Sequence, residues 1–282
     1  MQTLNRLCLW LEKLSSKFLG PFTLNLTSSL RISQKGFEKL VVKLSRSGWA
    51  SRITYLKSSL LSETIEKRPQ LLLNHLVIVG GADYDIKQFE YEQLKQIKSS
   101  RFYVQNLNFP DTDNVRVLPI GVEDLGWARN GMPWNFQNKF KTTSKKNKVL
   151  VGPFAKTSAE RLVCLSEARK HSNCEILEGR LPNWSYSKLS SQFHFVACPR
   201  GNGMDTHRFW ETLYRGSIPV VVESPWALNL YSLGIPMFVI PDWGKLGAVT
   251  IEKLPVHRIP SQEFLDPNWW RTRWLSELKT HV

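Results

Sequence analysis

Between Arg200 and Glu211 the chain sets two arginines, two glycines and two carboxylates in one short run, Arg200-Gly201-Asn202-Gly203-Met204-Asp205-Thr206-His207-Arg208-Phe209-Trp210-Glu211. Gly201 and Gly203 allow a backbone to bend and to approach a ligand closely. Arg200 and Arg208 carry forked donors that match phosphate oxygens. Glu211 follows Arg208 by three residues and falls on about the same helix face. A carboxylate there accepts from sugar hydroxyls, such as those of a ribose. Asn202, Asp205 and His207 share the loop and complete this group of candidates. The chemistry implied is recognition of a nucleoside diphosphate with something attached.

The flanking runs say what positions that loop. Phe193 to Cys198 is short and apolar, the mark of one buried strand, and Ile218 to Val222 is a second, rich in β-branched residues. Between them Asp205 or Thr206 is placed to cap a helix that runs through Tyr214 and stops at Gly216. The unit is strand, glycine loop, helix, strand, and the loop meets the positive end of the helix. Glu223 and Ser224 end the second strand, where they can face the same cleft.

The pattern extends in both directions. A strand is expected at Lys148–Val151, a helix capped by Thr157 or Ser158 to about His171, a strand at Cys174–Leu177 and a short helix at Tyr186–Ser191. Beyond the central unit come a helix at Pro225–Leu233, a strand at Met237–Ile240 and a closing helix at Asp266–Thr280. Strands alternating with helices argue an α/β fold with a doubly wound sheet. Upstream, Leu71–Val79 reads as a buried strand, Phe89–Ile97 as a helix, and Phe102–Gln105 and Val115–Leu118 as strands. Phe37, Leu40, Val41 and Leu44 have helical spacing, and a weak helix is expected from Arg52 to Lys67. The Leu71–Val79 run holds His75 and ends in Gly80-Gly81-Ala82-Asp83, where open α/β sheets place ligand groups. His75, Asp83 and Asp85 are therefore candidates for acceptor binding or proton removal. Asp83-Tyr84-Asp85 fits the DxD pattern of metal-dependent sugar transferases, but Asp111-Thr112-Asp113 fits equally well, and the pattern carries little weight.

The loop-like, basic segment around residues 126–147 marks a boundary. It divides the chain into 1–140, 141–265 and a final segment 266–282. A chain of 282 residues has room for one large domain or two modest ones. The formal charge is +14, and residues 1–70 carry twelve Lys/Arg against four Asp/Glu, so +8 of it sits in the first quarter. Such a bias favours an anionic partner: nucleotide phosphates, an anionic membrane surface or nucleic acid. No zinc-finger spacing or aromatic RNA-binding signature accompanies it, which sets nucleic acid last. Leu4, Leu7, Leu11, Leu14 and Phe18 make an amphipathic stripe suited to a membrane surface or to the protein's own body. Apolar runs of spanning length and a secretory leader are absent from the sequence. The four cysteines form no CxxC pair. The expectation is a cytoplasmic protein with free thiols, in peripheral contact with the inner face of a membrane.

The run CPRGNGMDTHRFWETLYRGSIPVVVE resembles the signature of exostosin-like glycosyltransferases, in which a strand ends in PRG, an R-x-x-E helix follows and G-x-IPV comes next. The resemblance implies a GT-B fold: two Rossmann-like domains face across a cleft, here with a short, irregular N-terminal one. It also implies a nucleotide-sugar donor in the C-terminal domain and no cofactor or essential metal. The turn Pro119-Ile120-Gly121-Val122 resembles the end of the first domain in bacterial relatives, which would set Glu123 near the cleft. Arg200, Arg208 and the glycine backbone would then hold the diphosphate, and Glu211 the ribose. Inverting transfer would need a base, with Asp83 first, then His75 or Glu123. The acceptor expected from the resemblance is a glycan or lipid-linked glycan, in polysaccharide or glycoconjugate synthesis. Two other classes stay open, a non-catalytic module that binds a nucleotide sugar and a basic nucleic-acid-binding protein.

Overall fold

The computed structural model of the chain describes residues 31–46, 52–73, 76–124, 135, 144–254 and 263–280. His75 and the amphipathic stripe of residues 4–18 lie outside the described residues. Two parallel sheets carry the fold. The first has the strands β1 (Ile53–Lys57), β2 (Leu76–Gly80), β3 (Arg101–Gln105) and β4 (Val115–Leu118), in that spatial order. The second has β5 (Lys146–Val151), β6 (Cys174–Ile176), β7 (Phe193–Ala197), β8 (Ile218–Val222) and β9 (Phe238–Ile240), in the order β6-β5-β7-β8-β9. The protein is α/β with parallel sheets, compatible with a Rossmann-like arrangement.

Burial explains why these runs become strands. Every residue of β2 is buried, and so are Phe102 to Gln105 of β3, as expected of parallel strands covered on both faces. In the second sheet Leu150, Val196 and Val221 face one core while Val149, Val151, Ala197 and Val220 face another, the alternation a pleated strand imposes. Helices cover the first sheet by the same logic. In α1 (Gln34–Leu44) the buried residues are Phe37, Val41 and Leu44, one stripe at helical spacing. Its start is fixed by Ser33, whose hydroxyl accepts from the Gly36 N–H at 3.0 Å. Helix α8 (Pro267–Thr280), numbered in chain order among the described residues, crosses back onto this half. Trp274 lies 5.7 Å from Phe37 and 6.0 Å from Tyr103 between ring centroids, and Glu277 Oε1 accepts from the Tyr103 hydroxyl and from Arg116 Nη1.

Two expectations for the first half change. The helix expected over Arg52–Lys67 is strand β1, then a 3-10 turn at Ser58–Leu60, then helix α2 (Leu61–Lys67). Ile-Thr-Tyr is a β-favouring trio, and pairing with the buried β2, Ile53 opposite Leu76 to Lys57 opposite Gly80, outweighs the weak helical period. The strand expected from Leu71 starts at Leu76 instead. Residues Pro69–Leu72 form a 3-10 turn that leaves Leu71 and Leu73 exposed, so an apolar run was not a buried one.

Helix α3 (Gln88–Gln96), which connects β2 to β3, covers the first sheet. The second sheet is wrapped by α4 (Ala159–Ala168), α5 (Asn183–Ser190), α6 (His207–Tyr214) and α7 (Pro225–Ser232). Its strand order reverses at β5. The chain leaves β5 for β6 on one side, then returns to lay β7 on the other, which opens a crevice at the carboxyl ends of β5 and β7.

Candidate functional site

A cavity of about 550 Å3 occupies that crevice. Its walls come from both halves. Asp83 follows β2, Ile120 and Glu123 follow β4, Pro153 and Phe154 follow β5, and the loop Gly201–Thr206 follows β7. Helix α6 points its N-terminus, with His207, Arg208 and then Glu211, at the same space. The open N–H groups and dipole of that end favour an anion.

Four residues of the loop after β7, Arg200, Asn202, Met204 and Asp205, are bonded to the first half of the molecule. Asp85 takes Arg200 Nη2 on one oxygen at 2.8 Å and the Met204 N–H on the other at 2.6 Å. Asn202 Nδ2 donates to Asp83 Oδ2 at 2.8 Å, and the Asp205 N–H donates to Asn106 Oδ1 at 2.9 Å. Asn106 is fully buried with φ 54°, a left-handed conformation that Asn tolerates better than most residues. Gly203 sits so close that an added Cβ would lie 2.4 Å from Asn106 Oδ1 and 2.9 Å from the Asp83 carbonyl. The first half alone therefore requires glycine at this position.

Asp205 does not cap α6. The N-cap is Thr206, without a side-chain bond. The Asp205 carboxylate instead accepts from the Ile120 N–H at 2.9 Å and from Trp210 Nε1 at 2.7 Å. It is 2% exposed, and burial pushes its pKa up to about 7 against the pull of those two donors. His207 is likewise tied across the crevice, its Nδ1 lying 2.8 Å from the Gly121 carbonyl oxygen.

The cationic side of the cavity differs from the expected one. Arg200 is spent on Asp85 and on the Asn202 carbonyl, and it is not part of the cavity wall. Arg161 of α4 takes that place beside Arg208. Arg161 Nε donates to the Arg200 carbonyl at 2.9 Å and Nη1 to the Ala155 carbonyl at 3.1 Å. Arg208 donates to the Gly152 and Pro153 carbonyls and stacks on the rings of Phe154 and Tyr186, 4.8 and 5.3 Å from their centroids. Burial and the neighbouring Arg208 charge hold the Arg161 pKa below its ordinary value. Two like charges packed this way are relieved by an anion. Gly201 matters here, because a Cβ on it would stand 3.1 Å from Arg161 Nη2.

Glu211 is 7% exposed, and one of its oxygens, Oε2, accepts from Arg215 Nη1 at 3.3 Å. The other, Oε1, is buried on the cavity wall and has no hydrogen-bond partner among the described residues. The buried hydroxyl of Tyr186, on the same wall, also lacks one. A buried polar atom left unpaired costs about 1–3 kcal/mol, more when charged. Such orphans need an explanation, and a ligand that brings hydroxyl groups supplies one.

The cavity thus gathers Asp83, Glu123, Gly201, Asn202, Gly203, Asp205, His207, Arg208 and Glu211. Glu223 and Ser224 lie outside its wall. Glu223 is exposed and continues the sheet through its N–H to the Ile240 carbonyl, and the Ser224 hydroxyl caps α7 by accepting from the Ala227 N–H. Sequence reasoning missed Arg161, Phe154, Tyr186 and Asn106. Arg161 and Phe154 belong to the first strand-turn-helix of the second sheet, the place where a doubly wound sheet puts a ligand, so that signal was available. Nothing in a sequence shows that Tyr186 would meet Arg208.

No family profile matches the chain. A stretch of 80 residues is 30% identical to the Exostosin-1 homolog of Caenorhabditis elegans, covering 28% of this chain and 19% of that protein. The chain therefore matches about a fifth of the length of this curated relative, a partial and distant likeness to an exostosin.

Proposed function

We propose that this protein is a glycosyltransferase that moves a sugar from a nucleotide-sugar donor to a glycan or lipid-linked acceptor, in the synthesis of a polysaccharide or glycoconjugate. The observation that carries this reading is the buried Glu211 Oε1, unpaired among the described residues, in a cavity that also holds three arginines, Arg161, Arg180 and Arg208, and a helix N-terminus. Such a site offers positive charge and a hydroxyl acceptor, the needs of a nucleoside diphosphate. The partial likeness to an exostosin supports the same class.

In this reading the two sheets work in the GT-B manner. Residues 141–265 take the donor, residues 1–140 the acceptor, and the closing segment 266–282 straps the second part to the first. Arg161, Arg208 and the α6 N-terminus meet the diphosphate and stabilise it as leaving group, the kind of preorganised field that supplies much of an enzyme's rate. Charge on the diphosphate is met by guanidinium groups, so no metal is required. Glu211 Oε1 accepts from the ribose hydroxyls, while Asp83 and Glu123 face the acceptor. Among the described residues no helix is long and apolar enough to cross a membrane. A cytoplasmic enzyme touching the inner face of a membrane through its basic N-terminal segment fits the acceptor class.

The test is a thermal-shift panel of UDP, GDP, ADP and CMP on the wild type and on Glu211→Gln. At 100 times its dissociation constant a bound nucleotide adds about 2.7 kcal/mol of stability. One nucleotide should raise the melting temperature of the wild type, with affinity for it about tenfold weaker in the variant, as for a lost hydrogen bond to a charged group. A wild type indifferent to all four would sink the donor site.

A further inference from the structure

His207 stands where the two halves meet, and its hydrogen bond fixes its chemistry. Nδ1 lies 2.8 Å from the Gly121 carbonyl oxygen. A carbonyl only accepts, so Nδ1 carries the proton. In the neutral ring Nε2 is then a bare lone pair, and the half-buried ring is part of the cavity wall. That nitrogen suits a partner with a proton to give. A phosphate oxygen has none, whereas an acceptor hydroxyl does. The anchor also draws the ring to the wall made by Ile120 and Glu123, while Pro153, Phe154 and Arg161 stand on the β5 and α4 side. Asp83, the first expectation for a base, is exposed and gives one oxygen to Asn202.

We infer that His207 Nε2 is the general base of an inverting transfer, which rests on the glycosyltransferase reading above. In this step the acceptor oxygen forms a bond to the anomeric carbon as its proton passes to Nε2. The bond from that carbon to the diphosphate oxygen breaks, and its electron pair leaves with the nucleoside diphosphate. The imidazolium then returns its proton to solvent. Gly121 acts through its carbonyl as the group that sets the tautomer, the part a carboxylate plays for other catalytic histidines.

The experiment uses His207→Asn, whose side-chain amide can keep the bond to the Gly121 carbonyl and has no basic nitrogen. His207→Gln serves as the second variant should the first melt early. Nucleoside diphosphate affinity is measured by calorimetry with the nucleotide that stabilises the wild type. Turnover is read as release of that nucleoside diphosphate from its nucleotide sugars with water as acceptor. Release should fall by about a hundredfold or more, the range for loss of a general base, with affinity unchanged and the released sugar of inverted configuration. Three results would overturn the assignment: release close to wild type, affinity lost in step with release, which makes His207 a phosphate contact, or a sugar of retained configuration. A wild type that binds the nucleotide yet releases none also removes the base and leaves a binding module. A wild type that binds no nucleotide fails the transferase reading itself, and the base falls with it.

Discussion

Asp205 is a carboxylate with its pH dependence reversed. Most carboxylates are better solvated or better paired in the folded state, and stability falls on acidification. Asp205 is shut between Ile120, Trp210 and Asn106, and burial moves its pKa from 3.8 to about 7. Below pH 4 it is protonated both folded and unfolded and contributes nothing to the pH dependence. Between pH 4 and 7 the unfolded chain releases the proton while the folded one keeps it, so its contribution turns against folding as pH rises. Above 7 the loss is complete. The slope from one such proton is at most about 1.4 kcal/mol per pH unit. Urea midpoints for Asp205→Asn from pH 4.5 to 7.5 should fall less steeply with rising pH than those of the wild type. Parallel profiles would mean that this carboxyl titrates normally. At the same scale, Glu211 was legible from its spacing after Arg208, and its orphaned oxygen was not, since only packing shows which atoms go unpaired.

Strand, loop and helix are the scale at which the sequence spoke most clearly. The β7-loop-α6-β8 unit lies within about a residue of its expected bounds, because two buried runs bracket a loop and a helix, and the helix is ended by Gly216 with φ 72°. The short β1 was misjudged because a five-residue strand, buried only at Ile53, leaves too few periods to count. Arg200 stands off the cavity wall for a different reason. A basic residue in a phosphate-type loop is equally able to bind a carboxylate from a distant segment, and Asp85 is 115 positions away. The loop itself makes a prediction. Asp85→Ala removes the acceptor of both Arg200 Nη2 and the Met204 N–H, so the loop loses its anchor at two points. Nucleoside diphosphate affinity should weaken by roughly tenfold, about 1.4 kcal/mol, with the far-UV spectrum unchanged. Calorimetry that finds wild-type affinity would show that the loop holds its shape alone.

For the whole molecule the decisive feature is continuity of the core. One hydrophobic cluster runs from Phe37, Val79 and Val104 of the first half through Leu150, Val196 and Trp226 of the second to Trp270 and Trp274 of α8. The side chain of Asn229 in α7 adds polar stitches, donating to the Phe109 carbonyl at 2.8 Å and accepting from the Asp111 N–H at 3.0 Å. Two sheets joined this way should unfold together. Tryptophan fluorescence and far-UV circular dichroism should give coincident urea transitions, and two separated transitions would refute it. Trp274→Ala, in a site with no exposure, should cost about 3–5 kcal/mol and lower both signals at once.

Gly203 and its neighbours bear on how such proteins can be recombined. The loop that would grip the donor belongs by sequence to the second half and by contact to the first, where Asp83, Asp85 and Asn106 form its mould. A chimaera cut between the two sheets, to pair this donor half with a foreign acceptor half, would carry the casting without the mould. It would need those three residues transplanted with it, and a designer who counted only residues that touch the ligand would leave them behind.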